Sequence, residues 1–292
     1  MVGDAHWKTS TLFLFTTQTS FQTTSIKSIT LPNIKMNAVT FCFLVAAFLN
    51  ISNAEPDVQQ PRALVYRGPA TCDGCPEAVA QLLQSSSLNF SVAYAGPNEE
   101  VDVNKQSLEG AQVFAFGGGP DLEDAYKEVE NFKKPLQDFV AAGGHYLGFC
   151  LGAYLAGSTP GFELLPDGIN VGSEVGRPGS QVGNENDTVI QVDWTFNNGQ
   201  TEKNKWLYFQ DGAYVTEFES EQGKVVARYS TSRDIAASVT QYGDGWVGLV
   251  GPHPEADESW YSDANITNPD GIDFKFGYDF LLAAIPGAVD PE

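Results

Sequence analysis

Gly148-Phe149-Cys150-Leu151-Gly152 sets a thiol between two residues without side chains, where an apolar run gives way to a helix-like one. This is the Gly-x-nucleophile-x-Gly elbow with Cys in place of Ser. A strand-to-helix turn of this kind strains the nucleophile's backbone, so its flanks must be small. A thiol at a helix N-terminus also feels the positive end of the dipole, which favours the reactive thiolate. A base comes next, and after residue 54 the chain offers only His145 and His253. His145 opens a strand at the end away from the elbow and reads as structural. His253 lies in Gly251-Pro252-His253-Pro254-Glu255, where Pro254 biases it to an extended conformation. Residues two apart in an extended segment face the same way, so Glu255 can orient the imidazole that serves Cys150. Gly117-Gly118-Gly119 and the Leu151 N–H would supply donors to an oxyanion. Together these residues compose acyl transfer through a thioester at Cys150. The competing readings are a core cysteine among packing glycines, with an incidental His and Glu in a surface turn, and an inactive extracellular module whose pocket holds a ligand without turnover.

Such residues need elements to position them. Residues 62–67 read as a short buried strand ended by Gly68-Pro69, and Pro76 starts a helix over 77–84. Strands follow at 90–95 and 111–116, the latter running into the triple glycine. Asp121 caps one long helix whose apolar positions run from Leu122 to Val140, ended by Gly143-Gly144. A fourth strand over 145–149 leads directly into a helix over 151–156. Strands alternating with helices imply an α/β fold, a mostly parallel sheet with helices on both faces and ligands beyond the strands' carboxyl ends. The second half changes character, with strands at 189–196, 206–209, 225–229, 236–242 and 246–250. Turns such as Gly243-Asp244-Gly245 predict added β-hairpins. A last helix over 272–285 would cover the sheet.

Charge narrows the partners. The 292 residues carry 16 Lys and Arg against 37 Asp and Glu, a net charge of −21. Nucleic-acid binding, which depends on cations neutralising phosphates, is excluded on that ground, as is docking on anionic lipid. With 42% hydrophobic and 12% aromatic residues the chain is no acidic disordered tail. Residues 1–35 are polar and aperiodic, and read as a disordered stretch or an extension ahead of a true start at Met36. Residues 36–54 carry an apolar run, preceded by Lys35 and followed by Ser52-Asn53-Ala54, which reads as a secretory signal cleaved after Ala54. The run falls short of the ~20 residues that span a bilayer, so no stable membrane insertion is expected. Residues 55–292 would then form a single exported domain. Sequons at Asn89, Asn186 and Asn265 fit export. Removing the signal leaves Cys72, Cys75 and Cys150, an odd set in which one thiol stays unpaired. No cofactor is called for, and the scattered His and Cys residues match no zinc spacing.

These patches resemble the class I glutamine amidotransferases, in particular the branch found as the N-terminal domain of fungal biotin-protein ligases. Val65-Tyr66-Arg67-Gly68-Pro69, 146–154 around Cys150, and Gly251-Pro252-His253-Pro254-Glu255 carry the likeness. The resemblance implies a flavodoxin-like three-layer α/β sandwich and a Cys150–His253–Glu255 triad. It also implies Gly118, Gly119 and Leu151 at the oxyanion, with Tyr154 and Arg67 among the substrate contacts. Tyr154 stands where amidotransferases usually carry Gln, which points away from glutamine itself and towards a small amide or peptide substrate. No ligase segment follows before Glu292, so biotin ligation is not implied. Cys72-Asp73-Gly74-Cys75, between strand and helix, fits either a redox pair or a structural disulfide, and export favours the disulfide. The sequence sets no oligomeric state.

Overall fold

The computed structural model describes residues 60–287. The expectations for residues 1–35, the signal at 36–54 and cleavage after Ala54 lie outside the described residues. Eleven strands form one sheet in the path β2-β1-β3-β4-β11-β10-β9-β6-β7, with β5 and β8 attached beside β10. Its first part holds β1 (Arg62–Tyr66), β2 (Ser91–Ala95), β3 (Val113–Phe116), β4 (His145–Phe149) and β11 (Gly245–Val250), paired in parallel. Helices connect the first four of these strands. They are α1 (Cys75–Ser85), α2 (Lys105–Glu109), α3 (Leu122–Val129) and α4 (Lys133–Ala141), with α5 (Leu151–Ala156) following β4.

The second part is antiparallel: β6 (Thr188–Thr195), β7 (Thr201–Phe209), β9 (Gly223–Tyr229) and β10 (Ile235–Tyr242), then β11. β5 (Val171–Ser173) and β8 (Ala213–Val215) pair antiparallel at the side. The α/β class expected from the sequence is present, but a mostly parallel sheet is not. Parallel neighbours need a crossover of a dozen or more residues, whereas Gly243-Asp244 allows β10 only to turn back on itself. The hairpins therefore extend the same sheet, which is mostly antiparallel as a whole.

Side chains alternate along β1, so Ala63 and Val65 enter one core and Leu64 and Tyr66 the other. The first core packs Val79 and Leu82 of α1 against Phe280 and Leu281 of α7 (Lys275–Ala284). The second takes Val129, Leu136, Val140 and Leu155 from α3, α4 and α5. The single long helix expected after Asp121 is broken by a 3-10 turn over Glu130–Phe132. Pro135 explains the break, because it has no N–H to offer the carbonyl four residues earlier and its ring crowds that carbonyl. Asp121 does cap α3, accepting the N–H groups of Glu123 and Asp124.

Helix α7 is tied to the hairpins by a buried polar joint. Asp279 accepts the Trp194 indole N–H at 2.9 Å and the Asn197 backbone N–H at 2.9 Å. Trp194 is fully buried, so removing the carboxylate strands its N–H without water. Asp279→Ala is expected to cost about 2–3 kcal/mol. A urea midpoint lowered at unchanged slope would show it, and an unchanged midpoint would refute the joint.

Candidate active site

Cys150 sits between β4 and α5 at φ 50°, ψ −107°, a conformation that L residues rarely adopt. Its neighbours make this turn possible. A Cβ on Gly148 would overlap the Gly152 carbonyl, and one on Gly152 would overlap the Phe116 carbonyl of β3. The Cys150 N–H is fixed by the Val250 carbonyl at 2.9 Å. The thiol, 8% exposed, points to the Gln210 carbonyl at 3.4 Å.

His253 follows β11, the strand next to β4, so the topology delivers it beside the elbow. Its N–H bonds the Tyr208 carbonyl at 2.8 Å. Nδ1 lies 2.7 Å from Glu255 Oε1, with the imidazole 3% and the carboxylate 1% exposed as residues. That contact assigns the Nδ1 proton to the Glu255 side, leaving Nε2 as the other donor or acceptor. Trp260, on α6 (Glu258–Asp263), packs on the ring with centroids 5.0 Å apart. Burial alone would pull the imidazole down, but the Glu255 carboxylate and Cys150 outweigh it and push His253 up to about 10.

Gly118 is wedged tightly, since a Cβ there would lie 3.2 Å from both His253 Cε1 and Cys75 Sγ. Neither Gly118 nor Gly119 gives its N–H to a backbone carbonyl among the described residues. Cys72 and Cys75 form a disulfide, and the Cys72 N–H bonds the Gly118 carbonyl at 3.2 Å. The CxxC loop thus braces the glycine loop.

A cavity of about 390 Å³ opens in front of these groups. Cys150, Leu151, Tyr154, His253, Gly118 and Gly119 line it, so most residues singled out in the sequence converge there. Tyr154 donates its hydroxyl to the Asp211 carbonyl at 3.1 Å. Arg67 is not brought to the cavity. Glu99 at 2.7 Å and Glu77 at 3.0 Å hold its guanidinium, which stacks 3.7 Å over the Tyr94 ring. His145 is buried at the start of β4, at the opposite end of that strand from Cys150. Asn89, Asn186 and Asn265 are all exposed. The sequence reading missed Gln210, Asp211, Ser173, Glu185 and Trp260, which share the cavity wall. Asp121, read only as a cap, lines it as well.

The fold and this constellation define an α/β protein with a cysteine elbow facing a His–Glu pair across neighbouring strands. Residues 62–176 match the family model for the N-terminal part of biotin-protein ligase, so the chain is related to that region, as its motifs imply. The biotin–protein ligase of Schizosaccharomyces pombe is 29% identical over 162 residues. That match takes in 49% of this chain and 25% of the ligase, so the chain spans about a quarter of that curated relative. Among solved structures, a glutamine amidotransferase aligns at TM-score 0.47 and 15% identity, over 70% of this chain and 99% of that one. A ThuA-like protein from Parabacteroides merdae aligns at TM-score 0.48 and 12% identity, over 80% and 93% respectively.

Proposed function

We propose that the protein is a cysteine-dependent amide hydrolase of the glutamine amidotransferase type, acting on a small amide or peptide. The strained Cys150 beside the buried His253–Glu255 pair carries this reading. The Cys150 sulfur attacks the amide carbonyl with its proton already held on His253, the ring that Glu255 and Cys150 keep protonated. The Gly118 and Leu151 N–H groups steady the developing oxyanion. His253 then protonates the leaving amine and the thioester forms. Water, deprotonated by His253, releases the acid and restores the thiol. Glu255 holds the ring and balances its charge. The strand order β2-β1-β3-β4-β11 supports a flavodoxin-like core for this half. Export of the protein is part of the same proposal, supported by the exposed sequons and the Cys72–Cys75 disulfide.

Alkylation of Cys150 by iodoacetamide across a pH series tests the pair. Labelling is expected to be fast at neutral pH and slower by about 10²-fold or more in His253→Ala. Equal, slow labelling in both proteins would overturn the hydrolase reading.

A further inference from the structure

The cavity before Cys150 has a marked charge. Asp121, Glu185 and Asp211 line it, and among the described residues the one lining side chain that can carry positive charge is His253, which Glu255 balances from behind. Asp211 is set close to the nucleophile, because the Gln210 carbonyl just before it contacts the Cys150 sulfur. Its Oδ1 accepts the Ser173 hydroxyl at 2.8 Å, while its backbone carbonyl takes the Tyr154 hydroxyl. Burial pushes the Asp211 carboxyl up, and the charges of Glu185 and Asp121 add to this against the Ser173 hydrogen bond. Like charges drawn together around a concave site focus a negative potential there. Burial also raises Tyr154 far above neutrality, so it stays an uncharged phenol. Trp260 adds an indole to the same wall, and indole faces attract cations. Arginines that could offset this field are engaged elsewhere, Arg67 by Glu99 and Arg177 by Asp234.

We infer that the cavity selects a cationic substrate, an amide whose short arm carries an ammonium or guanidinium group held among Asp121, Glu185 and Asp211. The word amide rests on the hydrolase reading above, but the charge preference needs no turnover. An anionic amide would meet three carboxylates on its way to Cys150, and a neutral one would gain nothing from them.

Three alkylating reagents of different charge separate these cases in the full chain: 2-bromoethylamine, iodoacetamide and iodoacetate. Each forms a carbon–sulfur bond at Cys150 and releases halide, and peptide masses locate the label. Relative to free cysteine, the rate ratio of the ammonium reagent to iodoacetate is expected to rise by at least about tenfold. Added salt should shrink that excess. The Asp121→Asn/Glu185→Gln/Asp211→Asn variant should bring the ratio back to that of free cysteine. Asn keeps the cap at 121 and tolerates the positive φ at 211, so the fold is spared. Should that variant fail to fold, Asp121→Asn/Glu185→Gln, both at exposed positions, should lower the ratio part of the way. A wild-type ratio equal to that of free cysteine, or one that the variants leave unchanged, would overturn the inference. Because only ratios are read, an inert triad would show itself separately, as labelling indifferent to His253→Ala.

Discussion

Glu255→Gln is expected to lower kcat on an amide substrate by about 10³–10⁴-fold while leaving the fold intact. The carboxylate is buried behind His253, out of the cavity, so its loss should spare substrate binding and KM should move little. What changes is the ring. A neutral Gln can rotate its amide and present N–H groups to Nδ1, which turns the imidazole to the wrong tautomer. It also removes the principal charge holding His253 up at about 10. The sign of the accompanying stability change follows from linkage. A histidine whose folded pKa lies above its ordinary value of 6.5 stabilises the fold fully below 6.5. That contribution is lost as pH rises towards about 10. Wild-type urea midpoints should therefore decline across this window, and the decline should shrink in Glu255→Gln. A variant with unchanged kcat, or with the same pH-dependent decline, would rule out the orienting role.

Gly152→Ala is expected to damage the scaffold beside the nucleophile severely for so small a change. The added methyl would meet the Phe116 carbonyl and carbon, backbone atoms of β3 that no rotamer change can move. Helix α5 would have to lift from the sheet, shifting Cys150 with it. A cost of about 3 kcal/mol fits such overpacking. For a domain of this size that lowers Tm by roughly 6–12 °C. Thermal unfolding followed by circular dichroism measures it, and Ser87→Ala, in an exposed turn, serves as a control. A Tm within a degree of wild type would mean that the close approach of α5 to β3 is not needed.

The elbow and the His-x-Glu segment were legible because each is local. Glycines flank Cys150 at two residues' distance, and His253 and Glu255 share a side of one short extended stretch. Their meeting was legible too, once strand ends were taken as the place where loops converge. The opposite wall was not. Gln210 reaches Cys150 across 60 positions of sequence, on a turn that looks like any other between two strands. Trp260 arrives on the six-residue helix α6, too short to show a period. Arg67 shows the reverse failing, a motif residue whose side chain answers to Glu99, Glu77 and Tyr94 in a neighbouring recess. The mixed sheet was half legible, since turn residues announce hairpins but not the strand beside which a hairpin will lie. The expected helix dipole at Cys150 comes from a helix of only six residues, so the thiol depends chiefly on His253.

The disulfide behind Gly118 bears on how the protein must be handled at the bench. Cysteine enzymes are customarily kept in dithiothreitol to protect the nucleophile, and here the same reagent would also cut the bond that braces the facing loop. Two batches of one polypeptide, purified with and without a dithiol, would thus present differently supported pockets under one label. Counting alkylatable thiols within residues 60–287 tells them apart, one in the oxidised batch and three in the reduced one. Activity values become comparable only when that count accompanies them.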